Sequence, residues 1–341
     1  MAIIDASQGK SEGTPDAEPE LIDEPVVADA GGPAVVDAKP RGFFGRRWKT
    51  FRDMPWLVRI STVWLLLVVF GAIYAKVDTS LLDGALPLQD PNVQTNGFNP
   101  ATGEFGTGEP IEGSSAEHWL GTDAIARDTF ARLVHGAWVS LIVAGVSALF
   151  GIVIGGFIGS LVGFVRGRTD TILMGLIDVI LAFPALVLLL ALVSIFQVRS
   201  LLLISLVIGF LSIPIYTRIA RASSLAISNR EFVHAAKAIG TKPATILRKE
   251  IIPNVLPTVI SYAMVAAAAV IVVEGALSFL GLSVQLPTST WGNMINQGRR
   301  DIKLNQTQVL WPSLALTFTV MSLNQVGDWF QQRAQVRTAA L

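Results

Sequence analysis

Six long apolar runs, each broken from the next by a short polar segment, leave this chain very few ways to fold. A helix needs about 20 residues to cross about 30 Å of hydrocarbon. Runs of that kind lie at roughly 57–75, 139–165, 171–196, 200–219, 257–282 and 310–330. Only Gln197-Val198-Arg199 divides the third run from the fourth. Charged residues are 15% of the 341, against about 25% in a soluble domain. An all-α polytopic membrane protein with six transmembrane helices is expected. A mainly disordered chain, a disulfide scaffold and a basic nucleic-acid binder are excluded. The sequence has no cysteine, which removes thiolate metal sites and thiol catalysis and leaves the redox compartment undecided.

Lys and Arg total 26, as do Asp and Glu, but the two signs are unevenly spread. Residues 1–38 hold nine acids and one base, Lys10, among scattered Pro and Gly. That reads as a disordered acidic tail. Without a basic region leading into an apolar one, it is not expected to act as a cleaved signal. Gly9-Lys10-Ser11 lacks the upstream glycine of a phosphate loop, since position 4 is Ile4. Seven bases follow between Lys39 and Arg59. With the amino terminus inside, 19 bases fall in inside segments and 7 in outside segments. The excess of Lys and Arg on the cytoplasmic side therefore places both termini there.

The expected organisation is a tail at 1–50, a first span at 51–76 and an extracytoplasmic loop at 77–135. A membrane domain at 136–330 and a short cytoplasmic tail at 331–341 follow. The outer loop carries nine acids within 76–138. Inside the membrane domain, a basic cytoplasmic loop spans 220–256.

Little points to catalysis. His118, His135 and His234 have no ligand spacing, and the topology puts His234 on the opposite face from the other two. Two acids fall within apolar runs, Asp178 in the third and Glu274 in the fifth. Intramembrane acids suggest function or an internal polar partner. At 1.5 Å per residue, Asp178 lies about 10 Å from the cytoplasmic end and Glu274 about 25 Å from it, so they do not pair. Asp178 is within snorkelling reach of Arg218 at the end of the fourth run. Gly151, Gly155, Gly159, Gly163 and Gly167 recur every fourth residue, with Gly156 beside them. This stripe suits close helix packing, a hinge or a subunit contact. Pro184 and Pro214 would each remove a backbone bond and permit a kink.

The cytoplasmic loop is the most specific feature. In Arg230-Glu231-Phe232-Val233-His234-Ala235-Ala236-Lys237-Ala238-Ile239-Gly240, the residues Phe232, Ala235, Ala236 and Ile239 share one apolar helical face. Gly240 is expected to stop that helix, and Thr241 to cap a second with Pro243 near its start. Pro253 and Pro257 are expected to close the segment before the fifth span.

These residues carry a resemblance. His234-Ala235-Ala236, then Gly240, then Ile252-Pro253 resembles the EAA loop of binding-protein-dependent ABC importers. The longer string through Ile251-Ile252-Pro253-Asn254-Val255-Leu256-Pro257 is similar to the C-type permease of the dipeptide/oligopeptide branch. Three further blocks agree in order. The first is Leu120-Gly121-Thr122-Asp123 with Arg127-Asp128, Arg132-Leu133, Gly136 and Ser140-Leu141. The second is Glu274 with Leu277-Ser278-Phe279-Leu280-Gly281-Leu282 and Trp291-Gly292. The third is Asn324 with Gly327-Asp328. His234 replaces the motif's acid, Ile252 its leucine, and Ala126 a usual glycine.

The resemblance implies a type I ABC importer permease fold and no enzyme in this chain. It implies a second homologous permease, two ATPase subunits that bind ATP and Mg, an extracytoplasmic binding protein and a bacterial plasma membrane. No cofactor or nucleic acid is implied for this chain. Arg230, Phe232, His234, Ala235, Ala236, Ile239, Gly240 and Pro253 would form the ATPase-coupling contact. Transport would proceed by alternating access, with di- or oligopeptides as substrate. Nickel, glutathione or an oligosaccharide are alternatives within the family. An ion-driven secondary transporter is the alternative outside it, and the inverted repeats it requires are not evident.

Overall fold

A computed structural model describes residues 54–81, 90–96, 98–99, 104–105, 109–196 and 200–339. The acidic tail, six of the seven bases between Lys39 and Arg59, and the Gln197-Val198-Arg199 divider lie outside the described residues.

The fold is helical. In chain order it has α1 (Trp56–Leu81), a two-stranded hairpin of β1 (Phe98–Asn99) and β2 (Glu104–Phe105), and α2 (Thr129–Val165). Then come α3 (Gly167–Ala182), α4 (Ala185–Ile195), α5 (Leu201–Ser228) and α6 (Glu231–Ala238). The chain ends with α7 (Pro243–Ile246), a π-helical turn (Leu247–Ile251), α8 (Ile252–Phe279), α9 (Trp291–Gly298) and α10 (Thr307–Ala339). Among the described residues, five helices are long and apolar enough to cross a membrane, or six if the bent pair α3–α4 is one span.

The centre is the pair α2 and α5. A β-carbon on Gly155 would stand 2.6 Å from the Ile213 carbonyl oxygen; on Gly159, 2.3 Å from that of Thr217; on Gly163, 2.7 Å from that of Arg221. Only glycine admits this approach, and dispersion between the two backbones replaces the hydrophobic force that lipid cannot supply. Partner numbers rise together along both helices, so α2 and α5 run parallel. Gly151 meets the ring of Tyr216 instead. The stripe is thus packing within the chain. Gly167 does not belong to it: a β-carbon there meets open space, and the residue begins α3.

A core of Val143, Ile204, Ile271 and Leu277 joins α2, α5 and α8, and α4 inserts Leu189 and Val193 into it. On the other side, α1 is antiparallel to α10. Ser61 Oγ donates to Gln325 Oε1 (3.0 Å), and Trp64 Nε1 to Thr319 Oγ1 (3.0 Å).

Three expectations change. The third run is broken rather than kinked, with α3 and α4 meeting at 88°. Pro184 lies outside both helices, and the residue before it, Phe183, is held extended (φ −82°, ψ 138°), as a pre-proline residue prefers. Pro214 stays inside α5. Next, the helices outrun the apolar stretches. α2 starts at Thr129 because the Asp128 side chain caps it, accepting from the Ala131 N–H at 2.6 Å. Finally, Pro253 and Pro257 end nothing. The helix runs from Pro243 to Phe279 through the π turn. There the Ile252 N–H reaches back to the Leu247 carbonyl, so the ladder has already shifted where Pro253 lacks a donor. Asn254 Nδ2 supplies a donor to the Glu250 carbonyl at 2.6 Å.

Candidate functional site

The basic loop at 220–256 forms a compact lever. α6 is closed by Gly240 at φ +79°. The Thr241 N–H bonds the Ala236 carbonyl (3.1 Å) and the Gly240 N–H bonds that of Lys237 (3.0 Å), the two bonds of a Schellman cap. The residue at the start of α7 is Lys242, with Pro243 in the first turn and no side chain capping it. Thr241 is therefore not the cap expected from the sequence.

Val233, which sequence reasoning passed over, anchors the lever. It is fully buried against Ala220, Ile227, Ile246, Leu247 and Ile251, with Ala236 packed beside it. Their spacing of three residues was the available signal. The expected four-residue apolar face consequently divides. Ala236 turns partly inward, while Phe232, Ala235 and Ile239 stay exposed, Ile239 at 82%. His234 is exposed as well, Arg230 occupies the start of α6, and Pro253 follows the π turn at the head of α8. Lys237 Nζ lies 5.4 Å from the Phe164 ring of α2, and Arg166 Nη2 donates to Asn229 Oδ1 at 2.9 Å. Small and apolar side chains kept in the open on a rigid two-helix support suit a protein groove.

Two ion pairs join α3 to α5 above this lever. Arg218 Nη2 stands 2.7 Å from Asp178 Oδ1, the contact the depths suggested. Arg221 grips both oxygens of Asp170 at 2.6 Å. The second pair was not anticipated, although Asp170 lies two turns before Asp178 and Arg221 one turn after Arg218. Little else in α3 is buried, only Ile177.

Glu274 is buried at 1% exposure. Ser283 Oγ donates to its Oε1 (3.1 Å) and Ser140 Oγ to its Oε2 (3.4 Å). Ser278 and Thr290 share a 2.6 Å hydrogen bond beside it. The carboxyl is thus enclosed by hydroxyls from α2, α8 and the segment after α8.

The span ends opposite the lever are stitched by the blocks singled out in the sequence. Asp123 receives Arg127 Nε at 2.7 Å and lies 3.6 Å from Arg132 Nε. Asp128 also holds His118 Nδ1 at 3.0 Å. Trp291 Nε1 donates to the Leu133 carbonyl (2.9 Å), and Ser289 Oγ to that of Arg132 (2.8 Å). Gly292 lets α9 lie on α8, because a β-carbon would come within 2.5 Å of the Gly275 carbonyl. Gly327 fits α10 against Val265 and Met264. Ala126 sits at φ +59°, the left-handed region that favours the glycine it replaces. Among the described residues, no group of three or more His, Asp or Glu could hold a metal ion.

The family profile described as "Binding-protein-dependent transport system inner membrane component" matches residues 151–339. The glutathione transport system permease protein GsiD of Pectobacterium atrosepticum is 34% identical over 217 residues, 64% of this chain and 72% of that protein. The dipeptide transport system permease protein DppC of Alkalihalophilus pseudofirmus is 34% identical over 218 residues, 64% and 71% of the two chains. Among solved structures, a chain of the MetNI methionine ABC transporter in an inward-facing conformation superposes with a TM-score of 0.50 at 21% identity. The match covers 60% of this chain and 96% of that one. It shows a shared type I importer permease fold.

Proposed function

The chain belongs to the binding-protein-dependent transport system inner membrane components, and from that premise we propose that it carries di- or oligopeptides as one half of a two-permease pathway. As a member it is a permease subunit of an ATP-driven importer, working with ATPase and other transporter subunits, and not an enzyme. The finer reading is a heterodimer with a second related permease, two ATPases that bind ATP and Mg, and an external receptor that delivers the ligand. Both termini face the cytoplasm. Residues 1–50 and 331–341 are tails, 77–135 is the outer loop, and 136–330 is the membrane domain.

The exposed face of α6 carries this reading. Phe232, Ala235 and Ile239 point away from a lever that is anchored by Val233 and closed at Gly240, and its second arm, α7, is helically continuous with α8. An ATPase groove that closes on this face can move α8 through the capped Gly240 turn and the Val233 anchor. Arg230, His234, Ala236 and Pro253 shape the lever around that contact. The substrate rests on the relatives' names, one a dipeptide and one a glutathione permease. Glutathione is itself a tripeptide, so both names describe a zwitterionic peptide. Glutathione is the second reading.

Ala235→Glu and Ile239→Glu test the coupling contact. Both side chains are exposed, so insertion and thermal stability should match the parent. A charge in the centre of an apolar contact should lower ATP-dependent uptake, and recovery of ATPase with the permease, by about tenfold or more. Undiminished uptake would remove α6 from the coupling role. Competition between a dipeptide and glutathione for the partner receptor, followed by uptake of each in proteoliposomes, separates the two substrates.

A further inference from the structure

The turn between α9 and α10 concentrates charge in a way the transport reading leaves unused. Within six residues, Arg299, Arg300, Ile302, Lys303 and Leu304 are all exposed. Asp301 is half-buried, and its carbonyl closes the turn by accepting from the Leu304 and Asn305 N–H groups (2.8 and 3.0 Å). Three cations and two large aliphatic side chains thus share one short, well-formed tip.

Two observations set its depth. The Arg299 guanidinium lies 4.8 Å from the ring centroid of Phe279, the last residue of α8. A cation stacked there sits level with the end of a membrane span. From the other side, α10 starts at Thr307 and the apolar run at Leu310, followed by the partly exposed Trp311. Three residues of helix rise about 4.5 Å, and the headgroup layer is roughly 5–7 Å thick on each side. The tip therefore lies in that layer, where long basic side chains reach phosphates while aliphatic ones meet the first methylenes.

We propose that Arg299, Arg300 and Lys303 bind the phosphodiester groups of anionic phospholipids, with Ile302 and Leu304 dipping below them. Which leaflet is met follows from the proposed orientation, and the depth does not depend on it. The basic tip anchors α9 and the head of α10 to the bilayer surface. Anionic lipid should support this anchor more than zwitterionic lipid, and salt should weaken it.

This chain has no cysteine, so Ile302→Cys labelled with a nitroxide before assembly with its partner subunits reports this position alone. In the full complex reconstituted in phosphatidylcholine–phosphatidylglycerol vesicles, collisions with oxygen should exceed those with a water-soluble nickel chelate. The parent complex should melt about 2–4 °C higher in these vesicles than in pure phosphatidylcholine. Arg299→Gln/Arg300→Gln/Lys303→Gln should lose that difference while keeping the parent's melting temperature in pure phosphatidylcholine. A label that collides mainly with the nickel chelate would overturn the proposal, as would an unchanged lipid effect in the triple variant. Loss of receptor binding with the lipid effect intact would reassign the patch to the receptor. Peptide uptake is not a readout, so an error about the substrate leaves the outcome intact.

Discussion

Single residues carry the central contact of this protein, and they do so by what they lack. Gly159 packs so closely that a methyl group would stand 2.3 Å from a backbone carbonyl that cannot move aside. Gly156, on the adjoining face, would place one at an ordinary 3.9 Å from Val259 Cγ1. Gly159→Ala should therefore lower the stability of the assembled complex by about 1–3 kcal/mol, the usual range for overpacking. Gly156→Ala should be neutral or slightly stabilising through helix propensity. Thermal melting of the complex in detergent distinguishes them, and equal melting temperatures would mean that α2 and α5 can separate at no cost. The spacing of four was legible in the sequence, but Tyr216, Thr217 and Arg221 as its partners were not. Spacing marks a face and says nothing about which of several apolar helices will meet it. Glu274 teaches the same lesson, since its depth was readable while its hydroxyl partners come from segments distant in sequence.

At the scale of elements, hydropathy found the spans among the described residues and misjudged where several of them end. Apolar runs report lipid contact, whereas helices continue until a cap stops them. Asp128 therefore extends α2 outward, and the π turn carries α7 into α8 past two prolines. Pro184 shows the opposite error. A kink was expected, but a proline needs neighbours to bridge its missing bond, and Phe183 lies exposed with no such support. The broken span leaves α3 with one buried residue and two ion pairs to α5. The pair of Asp170 with Arg221 is bidentate, and its side chains are 19% and 34% exposed. Those of Asp178 and Arg218 are 59% and 55% exposed, joined by one contact. Geometry and burial both favour the first. Double-mutant cycles with Asp170→Asn/Arg221→Gln and Asp178→Asn/Arg218→Gln should give coupling in each, larger in the first. Additive losses in both would show that α3 is held by something other than charge.

For the whole molecule, the parallel run of α2 and α5 limits how the chain crosses the membrane. Two parallel spans must be separated by one net crossing in the opposite direction. Between α2 and α5 lie only α3, α4 and short connections, so the bent pair crosses once and is not a re-entrant loop. That makes six crossings among the described residues, and an even number puts both ends of the described helices on one side. The antiparallel contacts of α1 with α10, Ser61 to Gln325 and Trp64 to Thr319, agree with this count. Geometry does not say which side. The proposed orientation rests on charge, because that topology assigns 19 of the 26 bases to inside segments, and such bias sets orientation. Alkaline phosphatase needs an oxidising compartment to form its disulfides, so it reports sidedness directly. Fused after Leu341 it should be inactive, and inserted in the turn between α9 and α10 it should be active. Activity at both positions would break the six-crossing count. Activity only after Leu341 would keep the count, invert the molecule, and place the α6 lever where no ATPase could reach it.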